Sequence, residues 1–117
     1  MQAEDIKPLI SNAPFTVTPV GPTIGAEVSN INLAEPLDQA TFDALYATLM
    51  EYKVIYFRDQ KMTADQQVAF GKRFGELEVH PFRPDLPDIP EMVVLDNHKD
   101  NPVLSTDIWH ADTTFRE

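Results

Sequence analysis

The chain has 117 residues, of which 43% are hydrophobic, enough for one modest domain core. Nineteen acidic residues against nine basic ones give a net charge of −10, which repels phosphate backbones and anionic membrane surfaces and argues against nucleic acid and membrane partners. With no cysteine, disulfides and thiolate metal sites are excluded, so any metal must be held by nitrogen and oxygen ligands.

The amino terminus, "MQAEDIKPLI", lacks a basic segment followed by an apolar core, and no apolar run approaches the ~20 residues that span a bilayer. A cytoplasmic setting is the expectation. Residues 1–14, with Pro8 and Pro14, read as a loosely attached arm. "FTVTPV" then alternates with period two and predicts a half-buried strand that tolerates Pro19 at a sheet edge. "GPTIGAEVS" turns the chain into a second short strand. Phe42, Leu45, Tyr46, Leu49 and Met50 recur at helical spacing, predicting a helix capped by Asp38.

"VIYF" (54–57) is a continuous apolar run and predicts a strand buried on both faces at the centre of the sheet. "TADQ" matches a capping box, Thr63 with Gln66, and opens a helix running through Phe70 and Phe74 to Gly75. "HPFRPDLPDIP" places four prolines among eleven residues, which excludes helix or inner strand and predicts an ordered excursion or lid. "MVVL" (92–95) predicts a further strand, "DNHKDNP" a loop, and "IWHAD" (108–112) the start of another strand, with Trp109 in core packing.

In an extended segment His110 and Asp112 project to the same side, so imidazole and carboxylate can converge on one cation. Two such groups are two vertices of a two-histidine, one-carboxylate facial triad. The pair alone is equally a histidine beside a surface aspartate, and its context decides.

Four blocks supply that context: "GPTIGAEVSNINL", "VIYFRDQKMT", "FGELEVHP" and "DIWHADTTF", in this order and spacing. Together they resemble the amino-terminal part of the taurine dioxygenase family, the iron(II)- and α-ketoglutarate-dependent taurine and phenoxyacetate dioxygenases. The resemblance implies an α+β, mainly β fold: the amino-terminal part of a double-stranded β-helix, or jelly roll, with two flanking helices. Residues 15–117 would be a partial domain lacking its carboxy-terminal half.

By this resemblance His110 and Asp112 are iron ligands, and His80 binds the anionic headgroup of the substrate. Phe115 matches a pocket aromatic. The taurine enzymes carry a tyrosine where this chain has Arg83 and an asparagine where it has Thr106. Arg83 is then either a second anion-binding group or a solvated loop arginine, and the change at Thr106 puts taurine itself in doubt. His98 matches no functional position, and Arg58 with Asp59 reads as a turn or local ion pair. The family's second histidine ligand and the arginine that pairs with α-ketoglutarate come from a carboxy-terminal half, so the third ligand is expected on chain not present here.

The implied activity uses Fe(II), α-ketoglutarate and O2 to hydroxylate the carbon next to a sulfonate, releasing sulfite and an aldehyde. Alternative substrates are an alkyl sulfate ester or a phenoxyacetate-like carboxylate, each a small anion. A second reading, of another class, is a non-catalytic truncated fragment that folds on a partner chain. Homo-oligomer formation is left open.

Overall fold

The computed structural model describes residues 2–79, 88–93 and 108–111. Among them the elements run α1 (Ala3–Ser11), β1 (Thr16–Pro19), β2 (Ala26–Ser29), α2 (Gln39–Tyr52), β3 (Ile55–Tyr56) and α3 (Ala64–Lys72). The arrangement is α+β, with three helices where two were expected.

Helix α1 replaces the loosely attached arm. Ile6, Leu9, Ile10 and Ala13 lie at i, i+3, i+4 and i+7 and are the half-buried residues of this stretch, so an apolar stripe docks the segment against α2. Pro8 lies inside the helix, and the Asn12 side chain donates to the Pro8 carbonyl at 2.9 Å, closing the carboxyl end.

The sheet has the order β1-β2-β3. β1 pairs antiparallel with β2, Val17 facing Val28, and Pro19 sits on an edge strand as expected. β2 and β3 pair parallel, because α2 carries the chain back across the sheet between them. Among the described residues β3 has one neighbour, β2, and its expected central place is a matter for strands outside them. The "VIYF" run is not buried on both faces: Ile55 and Phe57 pack on the core, Tyr56 faces the other way, and Val54 is 54% exposed.

Side-chain alternation in β2 sets the two faces. Ala26 and Val28 are fully buried, whereas Glu27 and Ser29 are half-buried on the opposite side. Phe15, Val28, Ala44 and Leu45 form the core cluster, with Phe57, Phe70 and Phe74 packed around it. Phe42, Phe74 and Phe70 stack edge to face at 5.1 and 5.2 Å, a geometry aromatic quadrupoles favour.

Both predicted caps are present. The Asp38 carboxylate accepts from the Thr41 amide at 2.7 Å, and Thr63 with Gln66 forms the reciprocal capping box of α3. α3 ends at Lys72, short of the Gly75 expected, and Arg73 is its C-cap. Met92 and Val93 carry no strand, and neither do residues 108–111; the remainder of "MVVL" lies outside the described residues. Without a ladder, the 108–111 segment has no sheet face on which to bury alternate side chains. Trp109 is accordingly fully exposed rather than in the core.

Candidate metal centre

Of the six site residues expected from sequence, His110 is described. His80, Arg83, Thr106, Asp112 and Phe115 lie outside the described residues, as does His98. His110 is exposed, and its Nδ1 sits 3.1 Å from the Ile108 carbonyl oxygen. Metal-bound imidazoles are commonly oriented by a contact between their other ring nitrogen and a backbone or carboxylate oxygen. The donor chemistry at this position therefore fits a non-thiolate metal ion. Among the described residues no three His, Asp or Glu side chains converge on a common point.

Described residues on both sides of the proline-rich sequence, Leu77 and Glu91, touch α3. Leu77 packs on Gly71, where an added Cβ would meet Leu77 Cδ2 at 3.2 Å. On the other side Lys72 Nζ lies 3.6 Å from Glu91 Oε1.

A second polar constellation lies on the sheet face opposite the core. The register sets Glu27 beside Tyr56, and Arg58, two residues on, shares their side. Glu27 Oε2 accepts from the Tyr56 hydroxyl at 2.9 Å and from Arg58 Nε at 3.1 Å. These donors, the tyrosine first, hold the Glu27 carboxyl below its ordinary value, and Glu27 in turn raises Arg58. Arg58 also lies over the Tyr56 ring, 5.3 Å from its centre.

The partner of Arg58 is thus Glu27, 31 positions away, and the local ion pair with Asp59 does not form. Asp59 does make a turn, with φ of 56°. The signal for the distant pairing was the period-two alternation of Tyr56 and Arg58, which becomes informative only once β3 is known to lie beside β2.

Comparison with known proteins gives a consistent picture. The model of the family "Taurine catabolism dioxygenase TauD, TfdA family" matches residues 16–117. The chain is 39% identical over 102 residues to an α-ketoglutarate-dependent sulfate ester dioxygenase of Pseudomonas putida, a match covering 86% of this chain and 33% of that protein. It is 38% identical over 104 residues to an (S)-phenoxypropionate/α-ketoglutarate dioxygenase of Sphingobium herbicidovorans, covering 86% and 36%. Among solved structures, a taurine dioxygenase from Burkholderia xenovorans superposes with a TM-score of 0.61 at 34% identity, over 65% of this chain and 28% of that one. The chain spans about a third of the length of these curated relatives.

Proposed function

This chain belongs to the TauD/TfdA family of dioxygenases, and from that premise we propose that it supplies the amino-terminal part of an iron(II)- and α-ketoglutarate-dependent enzyme acting on a small organosulfur anion. Enzymes of this family use Fe(II), α-ketoglutarate and O2. The observation that carries the reading is the family match reaching through His110 and Asp112.

His110, through Nε2, and Asp112 would hold the metal; the third ligand and the arginine for α-ketoglutarate would come from sequence of the kind the relatives carry outside the matched third. When bound, iron(II) with α-ketoglutarate and dioxygen supplies the oxidising power, the cosubstrate leaving as succinate and carbon dioxide while one oxygen atom enters a substrate C–H bond. His80 and Arg83 would fix the anionic end of the substrate, and Thr106 and Phe115 would line its pocket. Their common task is orientation: the carbon that carries the sulfur group must face the oxidant within a narrow range of positions. Hydroxylation of that carbon makes it a geminal adduct, which collapses to an aldehyde with release of sulfite from a sulfonate or sulfate from a sulfate ester. The jelly roll is the fold proposed for the whole domain, with β1, β2 and β3 as part of one of its sheets.

Arg83 and Thr106 stand where taurine enzymes carry tyrosine and asparagine, which favours a larger alkyl sulfonate or a sulfate ester over taurine. The sulfate ester dioxygenase among the relatives supports that preference. A phenoxypropionate-like carboxylate is the second reading, favoured by the relative that acts on one.

The test uses the protein expressed through its natural reading frame. Anaerobic addition of Fe(II) and α-ketoglutarate is expected to produce a weak visible charge-transfer band that His110→Ala removes. Turnover is then compared with an alkyl sulfate, an alkylsulfonate, taurine and phenoxypropionate, reading succinate with sulfate, sulfite or phenol. No band sinks the metal assignment. A band with phenol as the one substrate-derived product sinks the organosulfur reading and leaves the family intact.

A further inference from the structure

The chain leaves α3 and comes back to it. Beyond Lys72 it turns, the Gly75 amide donating to the Lys72 carbonyl at 3.3 Å, and Gly75 takes φ 150°, a value open chiefly to glycine. Leu77 then folds over Gly71, close enough that a Cβ there would lie 3.2 Å from Leu77 Cδ2. From the other direction, a turn closed by the Met92 amide on the Ile89 carbonyl at 3.1 Å carries Glu91 to Lys72, with Oε1 3.6 Å from Nζ. Residues 78–90 therefore start and finish beside two successive positions of one helix. The two charged partners are unequally exposed: the Lys72 side chain keeps 58% of its surface and that of Glu91 20%. A carboxylate so far withdrawn from water needs a cation, and Lys72 supplies one.

We propose that Lys72 and Glu91 are positioning residues for the anionic end of the substrate: their ion pair ties the return of the 78–90 stretch to α3 and so helps to hold His80 and Arg83 at the anion. The inference rests on the reading of His80 and Arg83 as the anion-binding residues. A stretch tethered at both ends has fewer conformations to lose when it binds a ligand, so less of the binding energy goes into ordering it. Releasing one end costs substrate affinity rather than the chemical step. Lys72 has a rival role, since an exposed cation attracts an anionic substrate from a distance. The two roles differ in sign at Glu91. If Lys72 works by its charge alone, removing the Glu91 carboxylate makes the surroundings more positive and tightens binding; if the pair is a tether, removing either partner weakens it.

The experiment uses the full-length enzyme with Fe(II), α-ketoglutarate and the best substrate of the turnover comparison. Lys72→Gln and Glu91→Gln are each expected to raise KM about two- to fivefold, as a partly exposed ion pair allows, with kcat and the visible band unchanged. Lys72→Glu combined with Glu91→Lys is expected to recover the original KM. In the absence of turnover, hydrogen exchange in peptides from residues 76–93 is expected to quicken in both single variants and to slow again in the charge-exchanged pair. A KM that falls in Glu91→Gln assigns Lys72 to long-range attraction and overturns the tether, as does exchange that neither single variant alters. Quickened exchange at an unchanged KM, with His80→Ala raising KM, overturns the role in substrate binding and leaves the reading of His80 intact. If His80→Ala and Arg83→Ala leave KM unchanged as well, the reading of that stretch falls together with the inference.

Discussion

Glu27 is a residue whose surroundings change its chemistry. The Tyr56 hydroxyl and the Arg58 guanidinium both stabilise its ionised form, so its folded pKa lies below the ordinary 4.5. A carboxyl lowered on folding contributes stability that is complete above its unfolded pKa and fades as the pH falls through the folded one. Asp38, held down by its bonds with Thr41, contributes with the same sign. Acidification below about pH 4.5 is therefore expected to weaken the wild-type protein more steeply than Glu27→Gln, with the two curves converging at low pH. Urea midpoints measured from pH 3 to 7 read this directly; parallel curves would remove Glu27 from the account. The pairing behind this behaviour was not legible in sequence, because a contact 31 positions long depends on strand register rather than on any local pattern. His110, by contrast, was picked out from the spacing and context of "WHAD", and the approach of its Nδ1 to the Ile108 carbonyl oxygen, 3.1 Å, is a detail that no sequence pattern encodes.

At the scale of elements, local chemistry was the most readable part. Asp38, Thr63 and Gln66 announced two helix starts, since caps are made by neighbours three positions apart. α1 escaped notice because Pro8 argues against a helix interior; the competing stripe of Ile6, Leu9, Ile10 and Ala13 was the stronger signal. The burial of β3 was overestimated because a continuous apolar run does not distinguish a strand covered on both faces from a half-buried one. The exit from α2 shows a cost the sequence hides: Lys53 sits at φ 66°, in the left-handed region that penalises side chains with a Cβ. Lys53→Gly is expected to stabilise the protein by roughly 0.5–1 kcal/mol, after allowing for the greater freedom of glycine in the unfolded chain. A lower urea midpoint in that variant would mean that the lysine side chain contributes more at this turn than its exposed bond to the Glu51 carbonyl suggests.

Among the described residues, one small core joins β1, β2, α2 and β3 with α3, and α1 lies against α2. Leu45 is fully buried in the cluster with Phe15 and Val28, against which residues of β3 and α3 also pack. Leu45→Ala is expected to cost about 2–5 kcal/mol, a large share of the stability of a domain this size. Loss of the cooperative transition, or a midpoint shifted far down in denaturant, checks it; a shift below about 0.5 kcal/mol would mean that the site collapses around the smaller side chain. At this scale the sequence also showed the family, because four separated blocks agree, while the proposed convergence of His110 with Asp112 and His80 would be set by tertiary structure, which no block contains. The described residues include no helix long and apolar enough to cross a membrane.

Gln60 ties distant parts of this core with a single side chain. Its Oε1 accepts from the Leu33 amide at 2.8 Å, while its Nε2 donates to the carbonyls of Ile31 at 3.0 Å and Arg58 at 3.2 Å. An amide serves both sides because it carries a donor and an acceptor on one carbon. Glutamate, of the same shape, would turn an oxygen towards two carbonyls; lysine would face the Leu33 amide with another donor. Position 60 is thus a lock that fits one key, although the residue stands in a half-exposed loop.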